Sequence, residues 1–139
     1  MSAKYLLDTN ILSEPLRPAP NPETLNRLKR HQDQLATAAI VWHELLFGCY
    51  RLPVSAKRAA IENYLLQVVA PSVEILPYDE SAAEWHAVER ARLTHTGKTP
   101  SFADSQIAAI AKTNDLILVT LNTPDYSDFQ GLDIEDWRK

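Results

Sequence analysis

Residues 5–13, YLLDTNILS, join a short apolar run to a group of helix-capping residues. The run from Tyr5 to Leu7 is continuously apolar and predicts a buried strand that ends at Asp8. The Asp-Thr-Asn sequence that follows is typical of a helix start, because these short side chains accept hydrogen bonds from free backbone N–H groups. The segment therefore predicts a strand-to-helix junction with a carboxylate at the junction.

Similar junctions recur along the rest of the chain. Further strands are predicted from apolar runs at 35–40, 73–76, 116–119 and, at an edge, 132–134. Helices are predicted between them at 22–31, 41–51, 55–69, 80–96 and 101–113. Strands that alternate with helices predict βαβ units, and hence an α/β domain with a central, mostly parallel sheet flanked by helices. No repeat or linker divides the sequence, so we expect a single domain over residues 1–139.

Composition excludes several classes of protein. The 139 residues include 14 basic and 18 acidic side chains, and the net charge of −4 argues against binding nucleic acid through bulk positive charge alone. Cys49 is the single cysteine, which excludes an internal disulfide or a cysteine-rich zinc site, and its place on an apolar helical stripe predicts burial. The three glycines are too widely spaced for either glycine-rich nucleotide loop.

The sequence shows no sign of a membrane segment. No apolar run approaches the ~20 residues that span a bilayer. The N-terminus also lacks a basic stretch before an apolar core, which a secretory signal would need. We therefore expect a cytoplasmic protein with no membrane partner.

Three acids lie near predicted strand-to-helix junctions: Asp8, Glu44 and Asp104. In open parallel sheets, ligands bind beyond the carboxyl ends of the strands. Carboxylates that meet there repel one another unless a cation binds, and hard ions such as Mg²⁺ or Mn²⁺ prefer oxygen ligands. Such ions can activate water and stabilise the leaving oxygen in phosphodiester cleavage.

Each of these residues also has a simpler structural explanation. Asp8 could be only a helix N-cap, and Glu44 only a partner of the helix dipole or a solvated charge. Asp104 lies three residues after a serine, as in a capping box. Asn122 and Asp125, which follow the last long apolar run, fit ordinary turn chemistry. The positions of the side chains along the chain do not decide between these roles.

Five segments, taken in order, carry a resemblance to a known family: 6–18 (LLDTNILSEPLRP), 44–48 (ELLFG), 104–111 (DSQIAAIA), 119–126 (VTLNTPDY) and 131–132 (GL). In order and spacing they resemble PIN-domain ribonucleases, and more specifically the VapC-type toxins of toxin–antitoxin pairs and their FitB-like branch. The resemblance implies a PIN-like three-layer domain. It also implies a metal-dependent endoribonuclease toxin that hydrolyses RNA phosphodiester bonds, in tRNA or rRNA, and is inhibited by a VapB-like antitoxin. The implied assembly is a homodimer, or a heterotetramer or larger complex with the antitoxin.

The resemblance also assigns roles to the acids. Asp8, Glu44 and Asp104 would be metal-binding catalytic acids for Mg²⁺ or Mn²⁺, with Glu44 positioning or deprotonating the attacking water or joining the metal ligands. The fourth acidic position is where this sequence departs from the family, because Asn122 stands where some relatives carry Asp. Asp125 could supply the missing charge, and we prefer it to Asn122.

Three further residues are assigned from the same resemblance. The hydroxyls of Thr9 and Thr120 would orient a carboxylate or phosphate, and Arg17 could reach the edge of the site and contact substrate. The alternative is a catalytically weak PIN-like module that only binds RNA or a partner, and the presence of Asn122 favours it. Two-component receiver domains and haloacid-dehalogenase phosphatases are excluded, because Asp8 is neither preceded by an acid nor part of an Asp-x-Asp motif.

Overall fold

The computed structural model describes residues 2–139, so Met1 of the predicted domain 1–139 lies outside the described residues. In chain order the elements are β1 Tyr5–Leu7, α1 Thr9–Leu12, α2 Pro22–Arg30, β2 Leu35–Ala38, α3 Ala39–Tyr50, α4 Ala56–Asn63, α5 Ala70–Ser72, β3 Glu74–Leu76, α6 Glu80–His95, α7 Phe102–Thr113, β4 Ile117–Val119, α8 Thr123–Tyr126 and β5 Ile134–Glu135. A 3₁₀ turn at Glu14–Leu16 follows α1, and a π-helical segment at Tyr64–Val69 joins α4 to α5.

The five strands form one parallel sheet in the order β3-β2-β1-β4-β5. The chain runs outward from β1 through β2 to β3, and then returns to the other side of β1 for β4 and β5. The strand order therefore reverses between β1 and β4, where open α/β sheets bind their ligands. The register pairs Leu7 with Val119, so the residues that follow these two strands emerge side by side.

The sheet is covered on both faces, as the α/β prediction required. All three residues of β1 are buried, and successive side chains of a strand point to opposite faces. Burial of the whole strand therefore requires packed helices on both sides of the sheet. Ala108 to Ala111 of α7 are also fully buried, and this run of mostly small side chains lets the helix lie close to its neighbours.

Some element boundaries differ from the prediction. The strand predicted at 35–40 ends at Ala38. Ala38 has an extended backbone and is the N-cap residue of α3, so this helix begins at Ala39 rather than at residue 41. The helix predicted at 55–69 continues to Ser72 through the π-helical segment. The edge strand predicted at 132–134 is instead Ile134–Glu135, which pairs with Leu118 and Val119. In each case the apolar pattern predicted that a helix or strand is present, but not the residue at which its backbone hydrogen bonding begins or ends.

The two ends of the described chain meet in the core. Trp137 is fully buried, with its ring 5.1 Å from that of Tyr5 and 5.5 Å from that of His31. Cys49 is buried in α3, which confirms the prediction for its side chain. Within residues 2–139, no helix combines the length and apolarity that crossing a membrane requires.

Candidate active site

Asp8 lies directly after β1 and is both a helix cap and a buried carboxylate. Its Oδ1 accepts a hydrogen bond from the backbone N–H of Thr9 at 2.8 Å, so it caps α1. Its Oδ2 accepts from the hydroxyl of Thr120 at 2.7 Å. The residue is only 6% exposed. Each carboxylate oxygen has two lone pairs, so the capping role leaves acceptor capacity on both oxygens for a further ligand.

Thr120 follows β4 and connects the two central strands. Its side chain is fully buried. The hydroxyl oxygen accepts a hydrogen bond from the backbone N–H of Asn122 at 3.1 Å, and the hydroxyl group donates one to Asp8. The hydroxyl therefore orients the Asp8 carboxylate from the neighbouring strand. Thr9 contacts Asp8 through its backbone N–H, and the role of its hydroxyl stays a prediction.

Asp104 lies in the first turn of α7 and is not held by a capping box. The Ser101 side chain caps the helix by accepting from the backbone N–H of Asp104 at 3.0 Å. The Asp104 carboxylate forms no return bond to Ser101 within residues 2–139. Its Oδ1 instead accepts from the hydroxyl of Tyr126 at 3.1 Å, which holds it toward α8.

Electrostatic effects show that these acids share one neighbourhood. Burial raises the pKa of Asp8 above its ordinary value, and the negative charges of Asp104 and Asp125 raise it further. The hydrogen bonds from Thr120 and Thr9 oppose this shift, because they stabilise the ionised carboxylate. Negative charge is thus concentrated at the point where the strand order reverses.

The two candidates for the fourth acidic position, Asn122 and Asp125, lie at the start of α8. Asn122 precedes this helix, is exposed, and makes no capping hydrogen bond through its side chain. Asp125 lies in the first turn, and its charge contributes to the raised pKa of Asp8. This proximity supports Asp125 over Asn122 as the fourth acid, which remains a prediction.

Two further predicted site residues, Glu44 and Arg17, have exposed side chains. The Glu44 side chain on α3 is 50% exposed, and its carboxylate lies 3.9 Å from Nδ1 of His43. The Arg17 side chain is 61% exposed and lies 3.4 Å from the Glu14 carboxylate. Within residues 2–139, no three His, Cys, Asp or Glu side chains converge as ligands of one metal ion.

Comparison with known proteins identifies the family of this chain. The family model described as "PIN domain" matches residues 5–128. The chain belongs to the PIN-domain family. Among curated proteins, it is 36% identical over 124 residues to toxin FitB of Neisseria gonorrhoeae, which covers 87% of this chain and 89% of the relative. It is 29% identical over 135 residues to the tRNA(fMet)-specific endonuclease VapC of Shigella flexneri, with 96% and 98% covered.

A solved structure supports the same family. The structure of FitAB bound to an IR36 DNA fragment superimposes on this PIN domain with a TM-score of 0.88 and 30% sequence identity. The match covers 97% of this chain and 96% of the other. The predicted α/β sheet flanked by helices, and its PIN-like architecture, are therefore confirmed.

The structure also adds two residues that sequence analysis did not single out. Tyr126 reaches Asp104 across 22 positions of sequence, and no spacing rule predicts that contact. Glu14 is almost completely buried, and its carboxylate accepts from the backbone N–H of Asn21 at 2.9 Å, which holds the proline-rich loop after α1. An acid inside an apolar stretch was the available signal for Glu14.

The donor chemistry of this PIN domain fits a hard divalent cation. Asp8, Asp104 and Asp125 offer oxygen ligands of the kind that Mg²⁺ and Mn²⁺ prefer. Burial is the main cause of the raised pKa of Asp8, and the negative charges of Asp104 and Asp125 add to it; a bound cation would stabilise the ionised carboxylate against both effects.

Proposed function

We propose that this PIN domain is a divalent-metal-dependent endoribonuclease and the toxin of a VapBC-type toxin–antitoxin pair. The observation that carries the proposal is the buried Asp8 carboxylate, crowded by the charges of Asp104 and Asp125 at the switch point of the sheet. The relatives named as endonuclease and toxin support the same activity. We propose tRNA or rRNA as the substrate class, cut at phosphodiester bonds.

We propose a separate role in the reaction for each of these side chains. Asp8 and Asp104 would hold Mg²⁺ or Mn²⁺, with Asp125 adding negative charge nearby. When bound, the cation supplies positive charge that stabilises the developing oxyanion of the scissile phosphate and the leaving 3′ oxygen. Thr120 keeps the Asp8 carboxylate oriented and ionised. We propose that Glu44, which is exposed on α3, positions or deprotonates the attacking water.

The proposal includes a protein partner. We propose a VapB-like antitoxin that inhibits cleavage, in a complex with a homodimer of this chain, as a heterotetramer or a larger assembly. The solved FitAB structure supports this class of partner. The proposed location is the cytoplasm, where RNA substrates are present. Arg17, in the exposed loop after α1, would contact RNA at the edge of the site.

A catalytically weak module that binds RNA or a partner is the second candidate function. Two observations favour it: Asn122 stands at a position where some relatives carry an acid, and no three His, Cys, Asp or Glu side chains among residues 2–139 converge as ligands of one metal ion. Metal-dependent cleavage separates the two candidates, because a binding module requires no cation to be activated.

The decisive experiment compares RNA cleavage by matched variants. Antitoxin-free protein is incubated with total tRNA and with ribosomal RNA, in Mg²⁺, in Mn²⁺ and in EDTA. We expect discrete fragments from the wild type that disappear in EDTA and with either Asp8→Asn or Asp104→Asn. Asp33→Asn is the control, because Asp33 is an exposed acid that precedes β2, at the opposite edge of the sheet.

Two results would contradict the proposal. Cleavage that persists in both Asp8→Asn and Asp104→Asn would remove these residues from the reaction. No cleavage by partner-free protein with either metal would favour the binding module.

A further inference from the structure

Tyr126 places a phenol among the acids of the site. The residue is 1% exposed, and its hydroxyl donates a hydrogen bond to Oδ1 of Asp104 at 3.1 Å. Its ring lies 6.2 Å from that of Phe129, which anchors the side chain in the core. The phenol is therefore fixed by packing on one side and by the carboxylate on the other.

The Tyr126 hydroxyl lies in a buried and negatively charged environment. Burial raises the pKa of the phenol far above its ordinary value, and the nearby charges of Asp8, Asp104 and Asp125 raise it further. The hydroxyl is the donor, and the Asp104 carboxylate the acceptor, of the 3.1 Å hydrogen bond between them.

One segment of chain holds both carboxylates. Thr120, directly after β4, donates to Oδ2 of Asp8, and Tyr126, six residues later in α8, donates to Oδ1 of Asp104. The two acids come from β1–α1 and from α7, which are distant in sequence. Residues 120–126 therefore supply one hydrogen-bond donor to each of the two carboxylates.

We propose that Tyr126 is a positioning residue, whose hydroxyl fixes the Asp104 carboxylate so that its second oxygen is presented to the divalent cation shared with Asp8. This inference rests on the proposed function. It assigns to Tyr126 a role that acts through Asp104 and requires no contact with RNA.

Removal of the hydroxyl alone tests this role, because Tyr126→Phe keeps the ring and its packing. The variant leaves Asp104 without its donor, free to rotate and less stable as an anion beside two other acids. A hydrogen bond to a charged group corresponds to about 10- to 100-fold in an equilibrium constant. We expect the lower end of that range, about tenfold weaker binding of Mn²⁺.

The first measurement is the Kd for Mn²⁺ of the full chain, from electron paramagnetic resonance of the free ion. Tyr64→Phe is the matched control, because the Tyr64 hydroxyl donates at 2.7 Å to the backbone oxygen of Leu12, outside the acidic cluster. Tyr126→Phe should weaken Mn²⁺ binding about tenfold, whereas Tyr64→Phe should leave it unchanged. In RNA cleavage at fixed Mn²⁺, Tyr126→Phe should lower kcat and leave KM unchanged.

The second measurement needs no metal. A double-mutant cycle in EDTA compares the urea unfolding of Tyr126→Phe, Asp104→Ala and the double variant. We expect the destabilisation caused by Tyr126→Phe to disappear when Asp104 is already absent, because the two side chains share one bond. Equal destabilisation in both backgrounds would overturn the inference.

The outcomes separate this inference from the proposed function. A wild type that binds Mn²⁺ and cuts RNA, together with a Tyr126→Phe variant of equal affinity and kcat, would overturn the positioning role alone. A wild type that neither binds Mn²⁺ nor cuts RNA would overturn both, whatever the result of the double-mutant cycle.

Discussion

The hydroxyl of Thr120 links β4 to the buried acid of β1, and Thr120→Val removes it with almost no change in shape. The hydroxyl donates to Asp8 Oδ2 at 2.7 Å and accepts from the backbone N–H of Asn122 at 3.1 Å. Because Thr120 is fully buried, water cannot replace either hydrogen bond unless the structure opens at the carboxyl ends of β1 and β4. The substitution therefore leaves a buried carboxylate short of one donor and a backbone N–H short of one acceptor.

The expected cost follows from these two bonds. A hydrogen bond to a charged group contributes about 1.5–3 kcal/mol, and a neutral one about 0.5–1.5 kcal/mol. The extra methyl group offsets part of the loss, so we expect Thr120→Val to lower the free energy of unfolding by about 2–4 kcal/mol at neutral pH. With an unfolding entropy of about 2.1 cal/mol/K per residue, this corresponds to a fall in Tm of about 7–14 °C.

The loss should depend on pH in a defined direction. Burial holds the pKa of Asp8 above its ordinary value of 3.8, and the Thr120 hydroxyl opposes that shift by stabilising the ionised form. Thr120→Val therefore raises the pKa of Asp8 further. The full loss is present at neutral pH, where Asp8 is ionised, and it shrinks as pH falls through the raised pKa and the carboxyl becomes protonated.

Urea unfolding of both proteins in EDTA, from neutral pH down to about pH 4, measures this dependence. Thr37→Val is the control, because Thr37 is also fully buried and donates at the same 2.7 Å, but to the neutral backbone oxygen of Leu7. It should cost about 0.5–1.5 kcal/mol with no change across this pH range. An equal, pH-independent loss in the two variants would show that the charge of the Asp8 acceptor does not strengthen the bond from Thr120.

Two further predictions concern other parts of the same architecture. Asp8→Asn should raise the Tm of the metal-free protein at neutral pH, because a carboxyl with a raised folded pKa stabilises the fold only while it is protonated. The stability that protonated Asp8 contributes is complete below the pKa of the unfolded state and is lost as pH rises through the pKa of the folded state, so the gain in Tm from Asp8→Asn should vanish in acid. Circular dichroism melts in EDTA measure the Tm of both proteins across this pH range. A lower Tm for Asp8→Asn at every pH would contradict the prediction. Trp137→Ala should lower the free energy of unfolding by about 3–5 kcal/mol, because it empties a fully buried site beside Tyr5 and His31. Urea unfolding measures this loss, and a loss below about 1 kcal/mol would show that the C-terminal segment is not part of the cooperative core.

Local patterns in the sequence predicted the elements well. The apolar run before Asp8 predicted β1, and the helices predicted at 80–96 and 101–113 begin within one residue of the starts of α6 and α7, where Asp79 and Ser101 are the N-caps. These signals are local, because a cap satisfies backbone groups a few residues away and helical periodicity repeats every few residues. The ends of β2 and β5 were less well predicted, since a strand ends where its neighbour stops pairing with it.

The same locality explains which site residues could be found. Asp8 and Asp104 stand at junctions that the sequence marks, and the structure brings them to one neighbourhood. Glu44 stands near a similar junction, but the sequence does not determine the direction of an exposed side chain on α3. Tyr126 has no local signal, because its partner lies 22 positions earlier.

Local patterns were sufficient to predict the α/β class, the strand-to-helix junctions and the acids that stand at them, because hydrophobic burial and helix capping act over a few residues. The position of β1 between β2 and β4, and the pairing of Leu7 with Val119, became evident only in the folded chain. That pairing places Thr120 against Asp8 across 112 positions of sequence. Contacts at that range depend on how the whole chain buries both faces of the sheet, which no short segment encodes.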